Sequence, residues 1–345
     1  MIRSLRWSAL LLALAAVFFL ELSLGSVTVP LRSVFAILSG GPGESEPYRQ
    51  IILLFRLPRA VTAMIAGAAL GVSGLEMQTL FRNPLADPYI LGVSSGASLG
   101  VALVVMVTQG FGWSLIMAQV GIMGSTALVV AAIAGSLLVL GVVLSFAQKV
   151  ESNVTLLLIG LMFGYIASSL VSIMMQFSLE HQMQRYVSWT FGSFGSVTWR
   201  QMGTFASALA VGMLLAWLLA KPLNAFLLGD GYARSMGVNV RRMRFWIIAG
   251  SAVLAGTVTA YCGPIAFLGI AVPHLCRLLH KTSDHRTLLP AVMLMGATLG
   301  LLSDRIAQVP GSQIALPLNA VTSLVGAPVV VAVILRRRHV MEAAA

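Results

Sequence analysis

Residues 80–100 read LFRNPLADPYILGVSSGASLG, and two incompatible folds can be drawn from them. Gly92-x-Ser94-x-Gly96 matches the G-x-S-x-G of a nucleophile elbow, which requires a strand before the serine and a helix after it. Asp87-Pro88 reads instead as an N-cap and first helical residue, opening a helix that already contains Gly92. Gly92, Gly96 and Gly100 then recur every four residues on one face, a small-xxx-small packing stripe in an apolar helix. The Asp-Pro flank decides for the helix and an all-α fold. Ser94 and Ser95 become local or interhelical hydrogen-bonding groups, and Ser94 is not read as a nucleophile.

Composition points the same way. Of 345 residues, 58% are hydrophobic and 10% charged, with a mean hydropathy of +0.92. A soluble domain carries roughly 25% charged residues, so this chain has too little polar material for a water-facing surface and belongs in a lipid bilayer. Cys262 and Cys276 lie in apolar context and form neither a C-x-x-C pair nor a disulfide framework. The net charge of +11 is first a topology signal. No nucleic-acid motif accompanies it.

Apolar segments approaching the roughly 20 residues needed to cross a bilayer fall near 7–27, 60–80, 91–108, 115–146, 154–178, 202–220, 245–262, 264–280, 287–303 and 315–335. The first has the basic start and apolar run of a signal peptide. It is read as a retained span because the topology requires it. About ten spans place both termini on one side. That side then holds 15 Lys and Arg, including Arg3, Arg6, Arg82, Lys149, Lys221 and Arg336–Arg338, against 7 opposite, so both termini are expected in the cytoplasm. The whole of 1–345 reads as one transmembrane domain. The outer loop 28–59 concentrates arginines. The inner loop 221–244 is basic and broken by Gly229, Gly231 and Gly237, and it reads equally as a binding face or a plain amphipathic surface segment. IAGAALGVSG (65–74) and IAGSAVLAGT (248–257) are faintly alike and open spans of opposite direction, as in inverted repeats.

Catalytic and cofactor signals are absent from the sequence. None of Lys149, Lys221 and Lys281 follows a glycine, which excludes G-x-x-x-x-G-K-[ST]. The five histidines show no metal-ligand spacing, and His280 and His285, in HKTSDHR, are read as solvated or at lipid headgroups. Glu76 and His274 are intramembrane ionisable groups, which are functional candidates by default. The simpler reading has Glu76 satisfied locally beside Gln78 and Arg82. Gly263-Pro264 marks a tight turn, and Pro273 should kink the following helix.

RLPRAVTAMIAGAALGVSG (56–74), FRNPLADPYILGVSSGA (81–97), LGDGYARSMGV (228–238), GPIAFLGIAVPHLCRLL (263–279), DHRTLLP (284–290) and GAPVVV (326–331), in this order, resemble the FecCD-type permeases. These are the membrane subunits of ABC importers for iron-siderophores, haem and vitamin B12. The resemblance implies the type II importer permease architecture: a homodimer of ten-span subunits in a bacterial cytoplasmic (inner) membrane, with the pathway between them. Two cytoplasmic ATPase subunits, which hold the ATP-Mg, and one extracytoplasmic binding protein are implied as partners. No cofactor is implied for this chain, nor any metal site or catalytic residue. Leu228, Gly229, Asp230, Ala233, Arg234 and Gly237 become the ATPase-coupling loop, Arg56 and Arg59 the binding-protein docking residues, and Ser152 and Asn153 the cytoplasmic gate.

The chain departs from the family in three places. SDRIAQ (303–308) puts Arg305 beside Asp304 and a glutamine one turn on, ALPLN (315–319) lacks an acidic residue, and Glu76 replaces an apolar residue. The expected cargo is a ferric siderophore or haem, then cobalamin. The competing class is an ion-coupled secondary transporter using Glu76 and His274.

Overall fold

The computed structural model describes residues 2–41, 45–107, 125–147, 150, 152–308 and 315–342. Among them the chain is helical, and the only β-pairing is an isolated bridge between Gln308 and Ala315. The helices are α1 (Ile2–Ser23), α2 (Leu31–Leu38), α3 (Glu46–Leu80), α4 (Val93–Met106), α5 (Ser125–Ala147), α6 (Asn153–Gln176) and α7 (Glu180–Thr190). They continue with α8 (Trp199–Leu218), α9 (Ala220–Phe226), α10 (Asp230–Ser235), α11 (Val240–Cys262), α12 (Leu268–His280), α13 (His285–Ala307) and α14 (Leu318–Glu342).

Seven of these, α1, α3, α5, α6, α8, α11 and α13, are long and apolar enough to cross a bilayer. The other three expected spans coincide with α4, α12 and α14. At about 1.5 Å per residue, the 13 residues of α12 cover roughly 20 Å of a ~30 Å hydrocarbon core. α12 is therefore shorter than the segment expected at 264–280, whose first residues lie in the turn before it. The opening of the expected span at 115–146, and Lys149, lie outside the described residues.

Two local expectations are corrected. The stretch 28–59 is not one loop, because it contains α2 and the first turns of α3, including a π-helical segment Ile51–Arg56. Asp87 does act as a cap, its Oδ1 accepting the Tyr89 N–H at 2.9 Å, but what it opens is a single 3₁₀ turn, Pro88–Leu91. Gly92, at φ +76°, ends that turn and caps α4, a left-handed joint that glycine adopts without penalty, while still facing Val139, the residue Gly96 also meets. α12 runs on through Pro273 as one helix. The proline leaves the Gly269 carbonyl without its helical partner, and Gln78 Nε2 supplies donors to Gly269 O and Ile270 O at 3.3 and 3.2 Å.

α3 is the hub. It packs against α11, α12 and α13, and most of its side chains are small and buried. A Cβ on Gly74 would collide with the Gly269 carbonyl of α12, and one on Gly67 with the Gly296 carbonyl of α13. α4 and α5 repeat the device at Gly96 and Gly100, which lie against the carbonyls of Gly135 and Ala131. The two similar decapeptides meet: Ser73 of α3 donates to Ser251 O of α11 at 2.9 Å, and their hydroxyls are 2.6 Å apart.

Gly74→Ala should therefore destabilise the protein by about 1–3 kcal/mol through overpacking. Gly141→Ala, where a Cβ meets nothing within 4 Å, should be neutral or slightly stabilising. Thermal unfolding of the two variants in one detergent checks the contrast.

Candidate functional site

Polar chemistry collects at the two ends of the bundle. The first end holds residues 221–244. Gly229 (φ +102°) starts α10, and Gly237 (φ +80°) comes after it. A Cβ on Gly229 would also sit 3.0 Å from an Arg82 guanidinium nitrogen. Ala233 is fully buried, in a cluster with Leu223, Phe226 and Val240. Leu228, Tyr232 and Met236 stay largely exposed at 63%, 51% and 59%, and Arg234 is exposed between them. Tyr232 and Arg234 belong to α10, while Leu228 precedes Gly229 and Met236 follows the helix end. The loop is thus pinned by one small residue while presenting an apolar, basic face outward.

Arg244 ties this loop to the next segment. Its side chain is 3% exposed, donates to Asp230 Oδ2 at 3.0 Å and reaches the Val150 carbonyl at 2.8 Å. Ser152, two residues further on, is exposed, with its hydroxyl accepting the Thr155 N–H at 3.4 Å at the start of α6. The Asn153 side chain lies outside the described residues.

A second joint at this end is not expected from the sequence. His285 is fully buried, not solvated. Its Nδ1 lies 2.7 Å from Asn224 Oδ1, which also accepts the His285 backbone N–H at 2.9 Å. Asn224 Nδ2 donates to Asp284 Oδ1 at 2.6 Å. That bond fixes the amide orientation and makes Oδ1 the acceptor, so Nδ1 carries the proton. Asn224 also holds the Asp284 carboxyl below its ordinary range. Across the ring, Nε2 lies 2.8 Å from Thr79 Oγ1 of α3. His280 is buried too, its ring tilted against Trp7 with centroids 4.8 Å apart. The only signal for His285 in the sequence is its place after an N-capping Asp284.

At the far end, Arg59 grips Asp304 with two bonds, Nε to Oδ2 at 2.7 Å and Nη2 to Oδ1 at 2.8 Å. Gln308 Nε2 bridges Asp304 Oδ2 (2.9 Å) and the buried Glu21 Oε1 (2.6 Å). Arg56 donates to the carbonyls of Leu22 (2.7 Å), Ser23 (3.0 Å) and Val27. Arg305 reaches Leu24 O at 2.6 Å. Both arginines expected to face a partner are thus already anchored, and the departures Arg305 and Gln308 join the same network. Arg59 and Asp304 also line a cavity of about 130 Å³ with Phe191, Ser193 and Pro317.

Glu76 is not satisfied by Gln78 and Arg82. It is fully buried near Gly250 and Leu215, and neither carboxyl oxygen has a hydrogen-bond partner among the described residues. Gln78 Oε1 instead accepts from Arg277 Nη1 at 2.7 Å, and that nitrogen lies 3.4 Å from His274 Nδ1. No metal-ligand cluster occurs among the described residues. Ser94 opens a helix with no strand before it, so the elbow geometry is absent.

Apolar helices of membrane-spanning length, sutured through glycine and joined by polar contacts at both ends, make this a multi-pass α-helical membrane protein, and its family and relatives give its class as a transport permease. The chain belongs to the FecCD transport family, whose model matches residues 12–336. It is 36% identical over 343 residues to the vitamin B12 import system permease protein BtuC of Klebsiella pneumoniae, covering 97% of this chain and 95% of that one. It is 34% identical over 350 residues to the ABC transporter permease protein YvrB of Bacillus subtilis, covering 98% and 96%. A solved structure described as a metal-chelate type ABC transporter in an inward-facing conformation matches with a TM-score of 0.83 at 30% identity, over 97% of this chain and 99% of that one.

Breaking the Arg59–Asp304 pair leaves a charge buried alone, so Arg59→Ala should cost about 3 kcal/mol or more. Arg59→Met with Asp304→Leu, which removes both charges, should recover most of that. Chemical denaturation midpoints in detergent measure both.

Proposed function

We propose that this chain is the membrane permease subunit of a binding-protein-dependent ABC importer for a metal chelate or a vitamin B12-type corrinoid. The observation that carries the reading is the outward apolar and basic face of 228–238, held on buried Ala233 and bonded through Arg244 to the segment before Ser152. That is the arrangement needed to receive force from a separate ATPase at the membrane surface. The family and both ABC-transporter relatives support it. The similarity to a vitamin B12 permease raises cobalamin beside ferric siderophore and haem.

On this reading the chain has ten spans with both termini cytoplasmic, in the bacterial inner membrane, and works as a homodimer. Two ATPase subunits carrying ATP-Mg seat on Leu228, Gly229, Asp230, Ala233, Arg234 and Gly237. Ser152 and Asn153 form the cytoplasmic gate. The binding protein docks at the far end, where Arg56 and Arg59 present positive charge already fixed in place by their own partners. This chain needs no cofactor or metal and catalyses no reaction. ATP-driven closure of the partner would reach the spans as rigid-body displacement. The ion-coupled reading has no support: Glu76 has apolar neighbours, and His274 belongs to the Gln78–Arg277 cluster.

Leu228→Asp with Tyr232→Asp changes only exposed side chains. It should lower co-purification of the ATPase subunits at least tenfold and abolish ATP-dependent uptake of cobalamin or a ferric chelate in reconstituted vesicles. Thermal stability should be unchanged. Full co-purification by the variant would sink the coupling role, and uptake that persists without the ATPase but collapses with a protonophore would sink the importer reading.

A further inference from the structure

We propose that the loop end of the bundle carries a binding site for an anionic phospholipid, with its headgroup phosphate on Arg241 and Arg242. A concavity of about 460 Å³ at this end is lined by Asn239, Arg241, Arg242 and Phe245. Both arginines are exposed, and no carboxylate among the described residues lies within ion-pair distance of either. Asn239 is committed to the backbone, its Oδ1 accepting the Arg242 N–H at 3.0 Å. Two guanidinium groups over a concave surface match a phosphate, which Arg binds through paired N–H donors.

The outer face of α11 selects a lipid over a soluble anion. The helix is otherwise largely buried, but Arg242, Trp246, Ala249 and Val253 stay exposed or half-buried. Their spacing places them on one stripe running from the concavity into the membrane-spanning part of the helix. Trp246 is 40% exposed, and Phe245 meets it edge-on at 5.4 Å. Tryptophan at this depth is an interfacial residue, apolar in body with a polar edge for headgroups. The antiparallel neighbour α8 supplies a matching edge. Gly212 packs on Leu254, and Leu215 lies by Gly250. That register brings exposed Lys221 near the level of the arginines, with exposed Trp217 about two turns deeper, beside the stripe. An acyl chain can run along the stripe inward while basic residues hold its phosphate. A partner protein seated on the end of the bundle would reach the arginines but not the stripe. The site is independent of what the permease carries.

The test is native mass spectrometry of the full-length chain in detergent with phosphatidylglycerol, phosphatidylcholine or inorganic phosphate. Phosphatidylglycerol should be retained about tenfold better than phosphatidylcholine. Arg241→Gln with Arg242→Gln should reduce it to the phosphatidylcholine level without changing the unfolding temperature, and Arg242→Gln alone should give an intermediate loss. Unchanged phosphatidylglycerol occupancy in the double variant overturns the site. So does displacement of the lipid by millimolar inorganic phosphate, which would make it a simple anion site. Loss of ATPase co-purification with lipid occupancy intact would assign the arginines to that partner instead.

Discussion

A single carbon added at Gly74 would run into the carbonyl of Gly269, and one at Gly67 into that of Gly296, so α3 meets α12 and α13 with only backbone between them. In a bilayer this closeness has to replace the hydrophobic effect, because lipid tails are as apolar as leucine. Dispersion contacts and short polar links then hold the helices together. The small, buried residues of α3 are what permit its central position. The same closeness explains how α12 keeps a proline: α3 is near enough for Gln78 to reach the carbonyl that Pro273 leaves unbonded.

With the middle of the bundle sutured this way, its longer polar side chains are found at the ends. At the far end, Arg59 and Asp304 satisfy one another, and Gln308 and Arg305 tie α13 to the end of α1. A pair this enclosed contributes geometry more than stability, since desolvation offsets much of the Coulombic gain. Its effect is to fix α1, α3 and α13 at one level and to leave a small polar cavity facing outward. At the loop end the links are as short, and they run through buried Arg244 and His285.

Much of the architecture is legible in the sequence because it rests on period and composition. Apolar runs near 20 residues locate the long spans, and 65–74 and 248–257 prove to be the segments where α3 and α11 touch. Legibility fails where tertiary partners decide. The Asp87 cap is plain in the sequence, but a cap does not tell how long its helix runs, and Gly92 ends that turn because it alone adopts the left-handed joint easily. His285 looks solvated amid charged neighbours, since nothing local shows that Thr79, some 200 positions away, covers its other ring nitrogen. Arg56 and Arg59 are legible as a cationic pair, but the carbonyls and carboxylate that hold them come from distant segments. Spacing alone makes Glu76 look locally satisfied, whereas Gln78, its neighbour in sequence, faces α12.

The segment 221–244 has two bonded links into the bundle, and they differ in kind. The first runs from Asp230 through Arg244 to the Val150 carbonyl, ending just before α6. It has one charge-assisted bond and one carbonyl bond, so a shift of α10 passes directly to the segment holding Ser152. The second link runs from α9, through Asn224, to His285 and then Thr79. Asp284 fixes the orientation of Asn224, and Asn224 fixes the tautomer of His285, so this side is rigid. The Thr79 hydroxyl is less constrained. It lies 2.8 Å from both Leu75 O and His285 Nε2, and its single hydrogen serves one of them at a time. α9 and α13 are therefore held together, and α13 is itself sutured to α3 where Gly67 meets Gly296, so α9, α13 and α3 form one rigid side of the bundle. Because Nδ1 carries the proton, His285 Nε2 is an acceptor, and the Thr79 hydroxyl leaves it unsatisfied whenever its hydrogen turns back to Leu75 O.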